Sequence, residues 1–320
     1  MAEGEVRDVW VLADDRAGNV AQCMGVAEAL GRPFTVKQIR YDRLGRLPNL
    51  LRGAGLLGIT SESRAGLTAP WPKVVIAAGR RTAPVARWIK RQCGAFLVQV
   101  MDPGAAGRDE FDLIAVPRHD RPSAAGNRLV ITGAPHRVWP DRLAAEAEAW
   151  RPRFAHLPKP WVALMVGGAT RQRPFPVELA AELGQRVAGL AAGGSVLLTT
   201  SRRTGKPQEQ ALLAAIPEPR LAHVWGGGGD NPYFGFLALA DAIVVTRDSV
   251  SMCCEACAAP APVYVYAPPG FAVAKHARLH EELFGLGLAR PLEDGTRFEP
   301  WSHPPLNAAL DVAAAIRARL

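Results

Sequence analysis

The densest grouping of residues able to do chemistry lies in Ala242–Ala256. There an apolar run, Ala-Ile-Val-Val, gives way to Thr246, Arg247, Asp248, Ser249, Ser251, Met252 and Glu255. A buried strand that ends in a polar turn and opens a helix offers unpaired backbone N–H groups and the positive end of a helix dipole, a seat for phosphate. Ser249 and Ser251 add hydroxyls there. Ser251 and Glu255 stand four apart and share a helix face, where a carboxylate accepts both hydroxyls of a ribose. The same residues also read as an N-cap followed by a surface glutamate. Asp248 fits the phosphate reading poorly, since it repels an anion unless it caps the helix.

Three further turns carry matching chemistry. Gly167-Gly168-Ala169-Thr170-Arg171 follows a strand-like run and combines close backbone approach with a hydroxyl and a fixed cation, although Gly-Gly turns are common. Ser201-Arg202-Arg203-Thr204 reads as a phosphate cradle or as a solvated basic loop. Four glycines, 226–229, lead into Asp230-Asn231-Pro232-Tyr233, where Asp230 or Asn231 caps a helix and Pro232 takes its first position.

The elements that must position these turns alternate strand and helix. In the first half, strands are predicted at 9–13, 34–39, 74–78, 96–101, 113–116 and 129–132, with helices at 19–30, 82–92 and 140–150. Gly31 closes the first helix and Thr82 caps the second. Arg151–Pro160, with three prolines, reads as a linker. The second half repeats the pattern, with strands at 161–166, 195–200, 221–225, 242–246 and 262–266. Its helices are predicted at 176–191, 208–215, 232–239, 249–258 and 276–284, and the chain closes with an Ala-rich helix. The fold class is therefore α/β, with two Rossmann-like, doubly wound parallel-sheet domains facing a cleft. The predicted divisions are 1–153, 154–305 and a C-terminal helix, 306–320. In such sheets ligands bind beyond the carboxyl ends of the strands.

Composition narrows the function. The 320 residues are 48% hydrophobic and 21% charged, a composition that supports large cores. No run suits a spanning helix, and Met1–Asp8, with three acids and no apolar stretch, is not expected to be a secretory signal. Of the net charge of +8, residues 1–155 hold +7 and residues 156–320 hold +1. Arginine outnumbers lysine 32 to 6, which genomic base composition explains better than function does, but that does not explain the asymmetry. The basic half lacks the aromatic interleaving of a nucleic-acid surface, so nucleic acid is not expected as a partner. No G-x-G-x-x-G follows the first strand, which disfavours a nicotinamide enzyme. Five cysteines, Cys23, Cys93, Cys253, Cys254 and Cys257, suit no disulfide framework and argue for a reducing, cytoplasmic setting; Cys254-x-x-Cys257 has no second pair to make a zinc site. Residues 40–67 interleave Arg40, Arg43, Arg46 and Arg52 with leucines. This stretch suits an anionic membrane surface at the inner face of a membrane, or equally an irregular helix packed on the first domain.

As an ordered set, the motifs resemble the mitochondrial-fission family of plants, the elongated-mitochondria proteins, and its bacterial relatives. The carriers are Asp15-Arg16-Ala17-Gly18-Asn19 with Gln22, Ala78-Gly79-Arg80-Arg81-Thr82, Gln99-Val100-Met101-Asp102-Pro103, and the second-half turns described above. The second half also resembles the nucleotide-sugar half of GT-B glycosyltransferases, which include the lipid-intermediate N-acetylglucosaminyltransferase of peptidoglycan synthesis. One departure is Ala258-Ala259-Pro260-Ala261-Pro262, where related families place a glycine and a basic residue before the last proline.

The resemblance implies a GT-B-like fold with the C-terminal helix packed back on the first domain. It implies a metal-independent glycosyltransferase with a nucleotide-diphosphate sugar as donor, no permanently bound cofactor, and a lipid- or envelope-linked acceptor. The alternative it carries is a non-catalytic, membrane-associated fission-type adaptor that retains nucleotide binding. By analogy Glu255 binds the donor ribose. Gly167, Gly168, Thr170, Arg171, Ser201, Arg202, Arg203, Thr204, Asp230, Asn231, Tyr233, Ser249, Ser251 and Met252 complete the donor side, and Gly18, Asn19, Gln22, Arg80 and Arg81 the acceptor side. An inverting enzyme of this type needs a base to deprotonate the acceptor hydroxyl. Asp14, Asp15, Asp102, His119 and Asp120 all stand at strand ends of the first half. Asp102, stiffened by Pro103, is the leading candidate and Asp15 the second, although a turn carboxylate often only bonds its own backbone.

Overall fold

In a computed structural model, residues 8–171, 173–271 and 273–320 are described. The expectation for Met1–Asp8 lies outside them except at Asp8. The chain forms two units, Met1–Arg137 with Asn307–Leu320, and Val138–Leu306.

In unit 1 the order is β1 (Val9–Ala13), α1 (Ala17–Leu30), β2 (Phe34–Gln38), α2 (Asn49–Arg52), α3 (Ser61–Ala65), β3 (Val74–Ala78), α4 (Gly79–Cys93), β4 (Phe96–Val100), β5 (Leu113–Pro117) and β6 (Arg128–Ile131). Unit 2 contains α5 (Pro140–Phe154), β7 (Trp161–Val166), α6 (Val177–Leu190), β8 (Ser195–Thr200), α7 (Lys206–Ala215), β9 (Arg220–His223) and α8 (Tyr233–Leu239). It continues with β10 (Ala242–Thr246), α9 (Val250–Ala256), β11 (Val263–Tyr266), α10 (Ala274–Gly285) and β12 (Arg290–Pro291). Then α11 (Ala308–Arg317) returns to unit 1.

Both sheets are parallel throughout, ordered β2-β1-β3-β4-β5-β6 and β12-β11-β10-β7-β8-β9. Parallel strands covered on both faces read as continuous apolar runs, and β1, β3, β7 and β10 are buried along their whole length. The edge strand β2 is only half-buried. Each sheet winds outward from an interior pair, β1/β3 in unit 1 and β7/β10 in unit 2. Those two pairs are the topological switch points, where a crevice opens beyond the carboxyl ends of the strands.

The C-terminal helix packs on the first unit, as expected. Arg317 donates to the Ala29 carbonyl at 3.0 Å, which lies in the last turn of α1. The expected linker at Arg151–Pro160 instead begins inside α5, which runs to Phe154; the six residues after it are irregular. Pro152 sits in the last turn of α5, and Phe154 beyond it is fully buried against Trp161 and Phe236. Packing overrides the proline, and the division between units falls at Arg137/Val138, well before the predicted 153/154. Thr82 is likewise not a cap. Gly79, at φ +73, turns β3 directly into α4, so the helix starts three residues earlier than predicted; Thr82 bonds back to the Ala78 carbonyl at 2.9 Å. Among the described residues, no helix is long and apolar enough to cross a membrane.

Candidate functional site

The loops beyond β7, β8 and β10 converge at the unit 2 switch point. Asp248, whose side chain is fully buried, accepts from the Gly168 N–H at 3.0 Å and from the Arg203 guanidinium at 2.7 Å. Burial pushes the Asp248 carboxyl upward, and Arg203 and these hydrogen bonds oppose it. Thr246 accepts from the Gly167 N–H at 2.8 Å. Ser201 donates to the Gly167 carbonyl, and Thr204 donates to the same oxygen at 2.7 Å.

This lock explains the two glycines. A Cβ on Gly167 would collide with the Asp248 carboxylate, and one on Gly168, at φ +135, with the Arg203 backbone. The close approach made by Gly167-Gly168 is therefore to the protein itself. Ser201, Arg203 and Thr204, expected as a phosphate cradle, are committed to the loop lock. Thr170 closes a local turn by accepting from the Arg173 N–H at 3.1 Å. Arg171 and Arg202 are exposed and make no hydrogen bond or ion pair among the described residues, leaving two cations at the rim.

A second cluster forms where α9 meets α8. Ser249 caps α9 by accepting from the Met252 N–H at 3.4 Å. Ser251 and Met252 are half-buried on its first turn. Further along, half-buried Glu255 accepts a hydrogen bond from the Tyr233 hydroxyl. Burial raises the Glu255 carboxyl to about 7, against the opposing pull of Tyr233 and of the Arg142 charge on α5. Arg142 itself stacks on Phe234, 3.4 Å from the ring centre. Neither Asp230 nor Asn231 caps α8: Pro232 stands at its N-cap instead of inside the helix, and Asn231 accepts from the Tyr233 N–H at 3.1 Å in a turn just ahead of it. Asp230 is exposed and paired to Arg153 at 2.9 Å. Glycines 226, 228 and 229 all have positive φ, and Trp225 before them is more than half exposed.

At the unit 1 switch point the pattern changes. Buried Asp14 accepts from the Arg16 N–H at 3.0 Å and from Asn19 at 3.2 Å, and burial raises its carboxyl. Exposed Asp15 pairs with Arg81 at 2.7 Å. Gln99 donates to the Gly79 carbonyl at 2.8 Å, while Gln22 is buried on α1 and Gly18 stands in open space. Asn19 and Gln99 thus help hold the strand ends together. Arg80 is exposed on the first turn of α4.

Asp102 follows β4 as predicted, directly after Met101 at φ +66. Its carboxylate accepts from the Gly104 N–H at 2.7 Å and from Arg108 at 2.9 and 3.0 Å. Burial opposes ionisation, yet the Gly104 N–H, Arg108 and Arg128 hold the carboxyl below its ordinary range. A carboxylate so stabilised is a weak proton acceptor, which argues against the base role expected for it. Asp15, tied to Arg81, is likewise committed to an ion pair.

Sequence reasoning missed two residues. Arg142 is separated from Glu255 by more than a hundred residues of chain, and no local pattern couples them. Arg52 was visible only as one of several bases among leucines; its burial was not. Among the described residues, no group of three or more His, Cys, Asp or Glu side chains is placed to hold a metal. All five cysteines are free thiols; Cys253, Cys254 and Cys257 are buried, with Cys253 Sγ 3.7 Å from His280 Nε2.

A family model described as Mitochondrial fission ELM1 matches residues 17–320. The Arabidopsis thaliana protein named Mitochondrial fission protein ELM1 is 32% identical over 295 residues, covering 83% of this chain and 68% of its own length. An uncharacterized protein of Rickettsia prowazekii is 28% identical, covering 97% of this chain and 98% of its own. Among solved structures, the UDP-GlcNAc 2-epimerase of Methanocaldococcus jannaschii superposes with a TM-score of 0.50 at 12% identity, covering 97% of this chain and 99% of that one. That likeness bears on the fold alone: two Rossmann-type units of the GT-B class.

Proposed function

The chain belongs to the mitochondrial fission ELM1 family, and from that premise we propose that unit 2 binds a nucleotide-diphosphate sugar and that the protein is a metal-independent glycosyltransferase of GT-B type. The observation that carries the reading is Glu255. It is a half-buried carboxylate on the helix that follows a central strand, fixed by Tyr233 and held close to neutrality by burial. Deprotonated, it has acceptor capacity for ribose hydroxyls beyond the one bond that Tyr233 makes. Arg171 and Arg202 are the cations left over for the diphosphate, because Arg203 is held by Asp248. A member of the fold, the epimerase, is known in complex with UDP-GlcNAc and UDP, so the architecture accommodates this ligand class.

In that role the donor's ribose sits at Glu255. The loops beyond β7 and β8, locked by Asp248, present a pre-ordered surface to the diphosphate, which lowers the ordering cost of binding. Leaving-group charge is stabilised by fixed cations rather than by a metal. The acceptor is then lipid- or envelope-linked, and the protein acts at the inner face of a membrane.

A second reading, a nucleotide-binding adaptor without turnover, is favoured by one observation: Asp15 and Asp102 are both engaged by arginines. Calorimetry against UDP, GDP, ADP and CMP sugars tests the shared premise. The expected result is binding of at least one, and a folded protein that binds none overturns both readings. Release of nucleotide diphosphate when a membrane extract is added as acceptor selects the transferase; binding without release selects the adaptor.

A further inference from the structure

Burial is inverted in the segment between β2 and β3. Helix α2 places Arg52 inside, 4% exposed, while Leu50 and Leu51 beside it are 80% and 66% exposed. Leu44 and Leu57 of the same segment are also exposed. Leucine outside and arginine inside is the reverse of what folding alone favours.

The buried guanidinium is incompletely satisfied. Its Nε donates to the Leu57 carbonyl at 3.1 Å and its Nη1 to the Arg81 carbonyl at 3.1 Å, but Nη2 has no hydrogen-bond partner. No carboxylate pairs with it among the described residues. Burial and the neighbouring Arg81 both push its pKa down, with Tyr41 and the more distant Asp42 opposing. Both cations approach the Tyr41 ring, Arg52 at 5.5 Å and Arg81 at 3.9 Å from its centre. A buried, unpaired charge is costly unless something compensates it.

Arg52 lines a cavity of about 670 Å³ at the β1/β3 switch point, together with Arg16, Arg46, Arg80, Arg81 and one acid, Asp15. Asp15 is already taken by Arg81. The guanidinium groups of Arg16, Arg46 and Arg80 make no ion pair among the described residues. The cavity wall is fastened in place. Pro84 in α4 cannot donate to the Arg80 carbonyl four residues back; Asn49 of α2 donates to it instead, at 2.8 Å. Asn49 and Arg52 thus clamp α2 onto the first turn of α4, whose remaining N–H groups and dipole add to the positive field.

We propose that this cavity binds the phosphomonoester headgroup of a membrane lipid, with Arg80 and Arg81 on the phosphate, the buried Arg52 charge in the wall behind it, and Leu50 and Leu51 against the lipid layer. Arginine forks match phosphate oxygens. The anion supplies the charge that Arg52 lacks, and Leu50, which also lines the cavity, places an apolar contact beside the headgroup. The assignment stands on unit 1 alone, so failure of nucleotide binding by unit 2 leaves it untouched.

The test has a soluble arm and a membrane arm, both with the full chain. In the first, melting is followed with inorganic phosphate or pyrophosphate against chloride at equal ionic strength. In the second, flotation is measured with phosphatidylcholine vesicles carrying phosphatidic acid, or phosphatidylserine at matched charge. The expected result is stabilisation by phosphate and preference for phosphatidic acid. Arg80→Glu lowers both by about tenfold or more, the scale of one charge-assisted hydrogen bond. Leu50→Ser with Leu51→Ser lowers only vesicle binding. Asp15→Asn, which frees Arg81, raises phosphate affinity about threefold, the scale of a surface ion pair, and reports on the site even if Arg80→Glu fails to fold. No stabilisation by either phosphate overturns the site. Equal binding of both anionic vesicles, which is the signature of diffuse surface charge, also overturns it. Phosphate binding without vesicle binding overturns the lipid assignment.

Discussion

Asp248 in unit 2 and Asp15 in unit 1 stand just beyond a central strand of their sheets, and each meets an arginine. There the likeness ends. Asp248 is buried and ties Arg203 and the Gly168 N–H into one lock. Asp15 is exposed, with a single partner beside four arginines that line the same cavity. The charge balance follows the same division. Unit 1 carries 22 Lys and Arg against 14 Asp and Glu, and unit 2 carries 16 of each. One architecture thus holds a rigid, internally neutralised strand-end surface in one unit and an unneutralised basic cavity in the other. The first is suited to presenting a fixed frame to a ligand, the second to drawing in an anion.

The largest effect that separates the two ends is expected at Gly168. Gly168→Ala combines a strained backbone with a collision against Arg203, and costs on the order of 4 kcal/mol or abolishes folding of unit 2. Gly18→Ala in unit 1, in open space on α1, is neutral or stabilising by up to about 1 kcal/mol. Chemical denaturation of both variants checks the contrast, and equal effects break it. Next comes the pair itself. Asp248→Ala costs about 3 kcal/mol, the lower end for a buried pair because Arg203 keeps some solvent contact. Asp15→Ala costs less than about 1 kcal/mol. A similar loss in both would mean the two pairs are equivalent after all.

A third prediction concerns pH. The folded-state pKa of Glu255, about 7, lies above that of an ordinary glutamate. Glu255 therefore favours the folded state most fully below an ordinary glutamate's pKa, and that contribution is lost as pH rises toward 7. Glu255→Gln, which stays neutral, is near wild type in stability at pH 5 and more stable by roughly 1–3 kcal/mol at pH 8. Melting at the two pH values reads it directly, and a pH-independent difference removes the buried-carboxylate account.

Much of this fold was legible because parallel strands in a doubly wound sheet are apolar from end to end. The runs at Val9–Ala13, Val74–Ala78, Trp161–Val166 and Ala242–Thr246 were located to the residue. The two-residue β12 carries no such run. Arg151–Pro160 misled because proline density is local, whereas the burial of Phe154 depends on residues far along the chain. The candidate site was legible as a set of strand-end loops but not in its internal assignments. Glycine pairs, serines and arginines look alike whether they face a ligand or one another. Only the fold reveals that Arg203 is held by Asp248, that Asp102 is held by Arg108, and that buried Arg52 makes no ion pair among the described residues.

The role proposed for Glu255 is to hold the ribose of a nucleotide-diphosphate sugar. Titration calorimetry at pH 8, with the wild type and Glu255→Gln side by side, tests it most directly. The prediction is measurable binding to the wild type, weakened in the variant by about 1–3 kcal/mol with the fold intact. Unchanged affinity in the variant, or no binding by a folded wild type, contradicts it.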